Sequence, residues 1–83
     1  MKRRLAIGND VRKHRVLAGL TQQELAERVG VTRQTILAIE KGNYTPSVAL
    51  ALRLAAVFGT TVEALFRIED PPEGPERGEG GGK

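Results

Sequence analysis

The chain of 83 residues is long enough for one small domain, and its 40% apolar and 28% charged residues are typical of a soluble globular protein. It has no cysteine, one histidine and neither a phosphate-loop nor a paired-carboxylate motif, which excludes disulfides and predicts no metal, no cofactor, no small-molecule ligand and no enzymatic activity. Residues 1–68 contain 11 basic and five acidic residues, and this net charge of +6 favours a polyanionic partner, although it could serve solubility alone.

The first eight residues, 1–8, are predicted to form a basic N-terminal arm. The Lys-Arg-Arg cluster at positions 2–4 could contact phosphates or remain a flexible terminus, and residues 3–7 could instead pair as a strand with residues 65–68, in the same chain or in a partner. The short apolar stretch that follows the cluster is no secretory signal, and no run approaches the roughly 18 apolar residues of a membrane helix. We therefore expect a cytoplasmic protein without membrane contact.

Residues 9–68 are predicted to fold as one all-α domain of five short helices, because helix start signals alternate with glycines at the expected stops. The predicted helices end near residues 18, 30, 41, 58 and 66. The start signals are Asn9 or Asp10, a capping box of Thr21 with Glu24, Thr32, the sequence Thr45-Pro46-Ser47, and a second capping box of Thr60 with Glu63.

Apolar residues at helical spacing predict the core of this domain. The predicted core residues are Ile7, Val11, Leu20, Leu25, Ala26, Val29, Ile36, Ile39, Val48, Ala51, Leu52, Leu54, Ala55, Phe58, Val62, Leu65 and Phe66. His14 could act as a pH sensor, but a half-buried imidazole that packs against the core is the favoured interpretation.

The last 15 residues, 69–83, contain eight glycines or prolines and no apolar side chain. Such a segment cannot bury enough surface to offset its ordering entropy, so we expect a disordered, acidic tail.

The segment from Thr21 to Gly42 predicts two short helices joined by a tight turn, which is the helix-turn-helix arrangement. Ala26 is small enough for the two helices to cross closely, and Gly30 permits the left-handed backbone of the turn. Val31 and Ile36 fill the angle between the helices. The full pattern is far more specific than a helical hairpin with a glycine in its turn.

Residues 20–36 (LTQQELAERVGVTRQTI) and 39–47 (IEKGNYTPS) resemble the Cro/phage-repressor, or XRE, family of helix-turn-helix transcriptional regulators. The resemblance covers about residues 11–66 and is closest to the short single-domain members. It implies a compact phage-repressor-like domain whose third helix enters the major groove of double-stranded DNA.

The outward face of that third helix then carries the residues that read bases: Arg33, Gln34, Leu37 and Ala38. Arg33 suits guanine and Gln34 suits adenine, whereas Leu37 departs from the family's small polar residue and could instead be a surface or dimer contact. The predicted phosphate contacts are Gln22, Thr32, Thr35, Lys41 and Asn43. Several of these side chains could equally be solvated surface, Thr32 serves as a cap in any case, and Lys41 could simply complement the end of its helix.

The resemblance also implies a partly buried ion pair between Arg15 and Glu40 that holds the recognition helix at a fixed angle. The predicted function is a sequence-specific transcriptional regulator, a repressor that binds a palindromic operator as a homodimer. The apolar candidates for the dimer surface are Val62, Leu65, Phe66 and Ile68, some of which could belong to the protomer's own core. The alternative is a protein-binding module, such as an antitoxin that regulates its own operon.

Overall fold

The computed structural model describes residues 6–69, which form five helices and a pair of short strands. In chain order the elements are β1 (Ile7–Asn9), α1 (Val11–Leu17), α2 (Gln22–Val29), α3 (Arg33–Glu40), α4 (Val48–Phe58), α5 (Val62–Leu65) and β2 (Phe66–Ile68). The predicted five-helix fold is confirmed. The strand pairing that the sequence offered as an alternative between residues 3–7 and 65–68 is present within the chain, but with different bounds, between Ile7–Asn9 and Phe66–Ile68. The basic cluster at positions 2–4 and the tail from residue 70 lie outside the described residues.

The start of α2 has the predicted capping box. The Thr21 hydroxyl accepts a hydrogen bond from the Glu24 N–H at 3.0 Å, and the Glu24 carboxylate accepts one from the Thr21 N–H at 2.8 Å. At the other end, Gly30 has a φ of 79°, a left-handed conformation that glycine adopts without steric cost. Thr32 then caps α3, since its hydroxyl accepts a bond from the Thr35 N–H at 3.3 Å.

The predicted cap of the fifth helix is wrong by one residue. Thr61, and not Thr60, caps α5, because its hydroxyl accepts a hydrogen bond from the Ala64 N–H at 3.1 Å. The Thr60 N–H instead donates to the Ala55 carbonyl at 2.9 Å and closes the end of α4. Only Thr60 has a glutamate three residues later, so the local pattern favoured it, and the predicted capping box with Glu63 does not form. The path of the chain out of α4 decides between the two threonines.

The two strands pair antiparallel within the chain, with Ile7 opposite Ile68 and Asn9 opposite Phe66. The Asn9 side chain also joins two helices: its oxygen accepts a bond from the Val11 N–H at 3.1 Å, and its nitrogen donates to the Ile39 carbonyl at 2.9 Å. These bonds tie the end of β1 to the last turn of α3 and to the start of α1.

The core is formed mainly by α2, α3 and α4, with α1 and α5 closing it. Its buried apolar residues are Val11, Leu25, Ala26, Val29, Ile36, Ile39, Leu50, Ala51, Leu54, Ala55 and Leu65. His14 is half-buried beside Phe58, with ring centroids 5.6 Å apart, and its Nδ1 lies 2.9 Å from the Asp10 carbonyl oxygen. This geometry is that of a half-buried imidazole packed beside the core.

Two predicted core residues of α4 are wrong. Val48 is 76% exposed and Leu52 is 56% exposed, whereas Leu50, absent from the predicted core, is buried. The helix is apolar on nearly every side, so its sequence period does not select a face. The pairs Leu50/Leu54 and Ala51/Ala55 face the other helices and leave Val48 and Leu52 on the outside.

Candidate nucleic-acid interface

Packing between α2 and α3 positions the exposed face of α3. Leu25, Ala26 and Val29 of α2 are buried against Ile36 and Ile39 of α3, all with at most 1% of their surface exposed. The Ala26 carbonyl accepts hydrogen bonds from the N–H groups of Gly30 and Val31 in the turn, at 2.9 and 3.0 Å. This helix pair therefore presents α3 with one side held in the core and the opposite side turned to solvent.

The end of α3 is tied to two other helices through the carboxylate of Glu40. Arg15 of α1 donates to it from Nε at 2.7 Å and from Nη2 at 3.3 Å, and its Nη1 donates to the Leu20 carbonyl at 2.8 Å. Gln22, the first residue of α2, donates to the same carboxylate at 3.1 Å. The Glu40 and Arg15 side chains are only 4% and 12% exposed. The network thus fixes α3 relative to α1 and α2.

Gln22 takes part in this network and still borders solvent. Its amide nitrogen carries two hydrogens, and the bond to Glu40 uses one of them. The second hydrogen remains for an acceptor outside the domain, at the N-terminus of α2, where the helix dipole favours an anion. The bond to Glu40, which the sequence analysis did not predict, fixes the orientation of this amide.

Apart from Gln22, which begins α2, the predicted base-reading and phosphate-contacting residues lie on α3, at its N-cap and in the loop that follows it. Arg33, Gln34, Lys41 and Asn43 are exposed, as is the capping Thr32, whereas Thr35, Leu37 and Ala38 are half-buried. Leu37 thus packs partly against the domain.

An open groove runs between α3 and the loop that leads to α4. It is lined by Thr32, Gln34, Thr35, Ala38, Asn43 and Tyr44, and we call it the Tyr44 groove. Tyr44 is 48% exposed and was missed by the sequence analysis. The available signal was an aromatic residue in a polar loop directly after the recognition helix.

The charges around α3 favour an anionic partner. The ion pairs within residues 6–69 are Arg15–Glu40 and the contacts of Arg67 with Asp10 and Glu69, so neither Arg33 nor Lys41 is neutralised by another described residue. The one acidic residue of α3, Glu40, is buried in its own network. The exposed charge of the helix and its C-cap is therefore positive.

The predicted dimer candidates do not form one exposed set. Leu65 is completely buried in the protomer's own core, so its assignment as a dimer residue is wrong. Val62 and Phe66 are half-buried, and Ile68 is 64% exposed. A second groove, the apolar groove, is lined by Ile7, Thr45, Pro46, Val48, Ala51, Val62 and Phe66. This groove adds Val48 and Ile7 to the candidates.

Among the described residues there is no group of three or more His, Cys, Asp or Glu side chains that could hold a metal ion. Within the same part of the chain, no helix is long and apolar enough to cross a membrane.

Comparison with known proteins gives matches over this same region. The family described as helix-turn-helix (HTH_3) matches residues 11–65. An uncharacterized HTH-type transcriptional regulator of Methanothermobacter thermautotrophicus is 56% identical over 61 residues, which cover 72% of this chain and 88% of the relative.

Two solved structures extend the comparison to the fold. The restriction-modification controller protein C.AhdI of Aeromonas hydrophila has a TM-score of 0.61 and 28% identity, covering 65% of this chain and 82% of that one. A hypothetical transcription factor from Neisseria has a TM-score of 0.61 and 27% identity, covering 66% of this chain. The chain spans only 63% of the Neisseria protein, so the similarity concerns the helical domain alone.

Proposed function

Since the chain belongs to the helix-turn-helix family of Cro/phage-repressor type, whose members are DNA-binding transcriptional regulators, we propose that it is a sequence-specific repressor. It binds a palindromic operator as a homodimer, with α3 of each protomer in the major groove. The observation that carries this proposal is the exposed side of α3, which presents Arg33 and Gln34 to solvent. The bond between Glu40 and Arg15 holds the end of this helix against α1.

Sequence reading is assigned to residues 33–38 of α3. Arg33 matches the O6 and N7 acceptors of guanine, and Gln34 matches the N6 donor and N7 acceptor of adenine. Ala38 and the exposed part of Leu37 are apolar and suit thymine methyl groups. These four residues supply the preference for one sequence.

The orientation of the protein on the duplex is assigned to side chains on and around α3 that contact the DNA phosphates. Gln22 offers its second amide hydrogen at the start of α2, and Asn43 offers a neutral donor beside α3. The Thr32 and Thr35 hydroxyls lie 3.2 Å apart and bond to each other, so this pair offers one further hydroxyl hydrogen. Lys41 supplies a positive charge at the end of the helix. Such contacts fix the register of the protein and carry no sequence information directly.

The homodimer follows from the small size of the reading surface. One recognition helix contacts only a few base pairs, so operators of this kind carry two half-sites about one helical turn apart. The apolar groove, together with Ile68, supplies a surface for a second copy. A dimer on the operator represses by occupying the DNA that the transcription machinery needs.

Selection from a random duplex pool tests this proposal. The purified protein is incubated with the pool at two salt concentrations, and the bound DNA is sequenced. We expect a palindrome with half-site centres roughly 10 bp apart. Binding without an enriched sequence, fading steeply with salt, would indicate backbone affinity alone and would favour a protein partner instead.

Replacing Arg33 by alanine is expected to remove one position from the selected motif in each half-site. A good bidentate pair contributes roughly 1–3 kcal/mol of discrimination, so preference at that position should fall by about 5- to 150-fold. Arg28→Ala provides the control, because Arg28 is also exposed but belongs to α2 and not to α3. A motif that is unchanged by Arg33→Ala, or equally changed by Arg28→Ala, contradicts the assignment.

A further inference from the structure

The Tyr44 groove is bordered by hydrogen-bond donors that carry no charge. Two hydroxyls, two side-chain amides and one phenol line it, and the methyl group of Ala38 completes the lining. None of its six lining residues is acidic, so its wall does not repel an anion. The groove therefore suits a ligand that presents charged oxygen acceptors.

The end of α3 holds Tyr44 beside that helix. The Gly42 N–H donates to the Ile39 carbonyl and the Asn43 N–H donates to the Ala38 carbonyl, both at 2.9 Å. Gly42 has a φ of 80°, which turns the chain sharply after the last turn of the helix. The backbone that leads into Tyr44 is thus anchored to α3.

We propose that the Tyr44 hydroxyl donates a hydrogen bond to a DNA backbone phosphate on the loop side of α3. The inference rests on the proposed function, because it requires α3 to lie in the major groove. Gln34 and Ala38, assigned to bases, line the same groove as Thr32, Thr35 and Asn43, assigned to phosphates. The Tyr44 groove is therefore the place where base edges give way to the sugar-phosphate backbone.

A neutral phosphate contact differs measurably from a charged one. When a charged side chain neutralises a phosphate, counterions that were condensed on the DNA are released into solution. Each such contact therefore contributes about one unit to the slope of log affinity against log salt concentration. A neutral phenol that donates a hydrogen bond to a phosphate releases no counterion. Its loss should weaken binding to every sequence by the same factor and leave the salt slope unchanged.

The test compares Tyr44→Phe with Lys41→Gln, which removes a positive charge at the adjacent end of α3. Affinities are measured on the selected operator and on a scrambled duplex over a series of salt concentrations. We expect Tyr44→Phe to weaken binding to both duplexes by about tenfold per protomer at an unchanged salt slope, in line with a hydrogen bond to a charged group. Lys41→Gln should reduce the slope by about one unit per protomer.

A single methylphosphonate in the operator, moved along the strand, then identifies the phosphate. At the contacted position the effects of the methylphosphonate and of Tyr44→Phe should fail to add, because both remove the same hydrogen bond. Additive effects at every position, or a loss of preference at one base only, would overturn the proposal.

Two further measurements separate the possible causes of a negative result. Tyr44 is half exposed, so Tyr44→Phe should melt at the wild-type temperature, and equal DNA affinity of the two folded proteins would overturn the phosphate contact alone. Failure of the wild-type protein to bind any duplex would instead overturn the proposed function, and the phosphate contact with it.

Discussion

Replacing Glu40 by alanine is expected to lower the melting temperature by about 12 °C or more and to weaken operator binding with it. The substitution removes the acceptor of three hydrogen bonds and leaves the Arg15 guanidinium largely buried without its counter-charge. Breaking a buried ion pair in this way costs on the order of 3–5 kcal/mol, and about 1 kcal/mol corresponds to about 4–8 °C in a domain of this size.

Operator binding should fall through the same cause, since Glu40 is the last residue of α3 and its network holds that helix against α1 and α2. The measurements are a thermal melt by circular dichroism and an operator titration at a temperature where the variant is still folded. Loss of affinity in the folded variant would show that the network also orients α3.

Two further variants serve as controls for the effect of Glu40→Ala. Glu27→Ala removes an exposed carboxylate of α2 that bonds only to Gln23 in the structure, and it should change the melting temperature little. The double replacement Arg15→Met/Glu40→Met removes both charges, so it should be more stable than Glu40→Ala. A Glu40→Ala protein that melts like the wild type would contradict the prediction.

The elements around the site were predictable where the signal is local. The capping box of Thr21 and Glu24, the Thr32 cap and the left-handed Gly30 each depend on residues within one helical turn. The buried faces of α2 and α3 were also predictable, because polar residues interrupt their apolar positions at helical spacing.

The remaining features depend on contacts between distant parts of the chain. The sequence did not show which side of α4 is buried, because the helix is apolar almost all round. Only the helices that pack against it decide that Leu50 is buried while Val48 and Leu52 are exposed. Leu65 lies in a segment short enough to serve either the core or a partner. The placement of Tyr44 beside α3 depends on the turn after Gly42, which the sequence indicated without giving its direction.

The apolar groove yields the second large effect: Val48→Asp should convert the proposed dimer to a monomer. Val48 lines that groove with most of its surface exposed, so a charge there faces any partner that covers the groove. Val48 is also the first residue of α4, where an acidic side chain interacts favourably with the helix dipole. The protomer should therefore remain folded while the dimer is lost.

Loss of the dimer should reduce the affinity for DNA more than the loss of any single DNA contact does. Two linked recognition helices gain about 10²- to 10⁴-fold over one, because binding of the second half-site becomes intramolecular. We expect Val48→Asp to lose at least about 100-fold in affinity for the palindrome and little for an isolated half-site. Sedimentation of the free protein and titrations with the two duplexes measure both effects.

Ala49→Asp is the matched control for the dimer surface. Ala49 is exposed in the same first turn of α4 but does not line the apolar groove. A negative charge at this neighbouring position should therefore leave both the proposed dimer and the operator affinity intact. If Ala49→Asp dissociates the protein as readily as Val48→Asp, general charge repulsion explains the result. If Val48→Asp remains a dimer, the two copies meet elsewhere, and the groove next to the strand pair has another role.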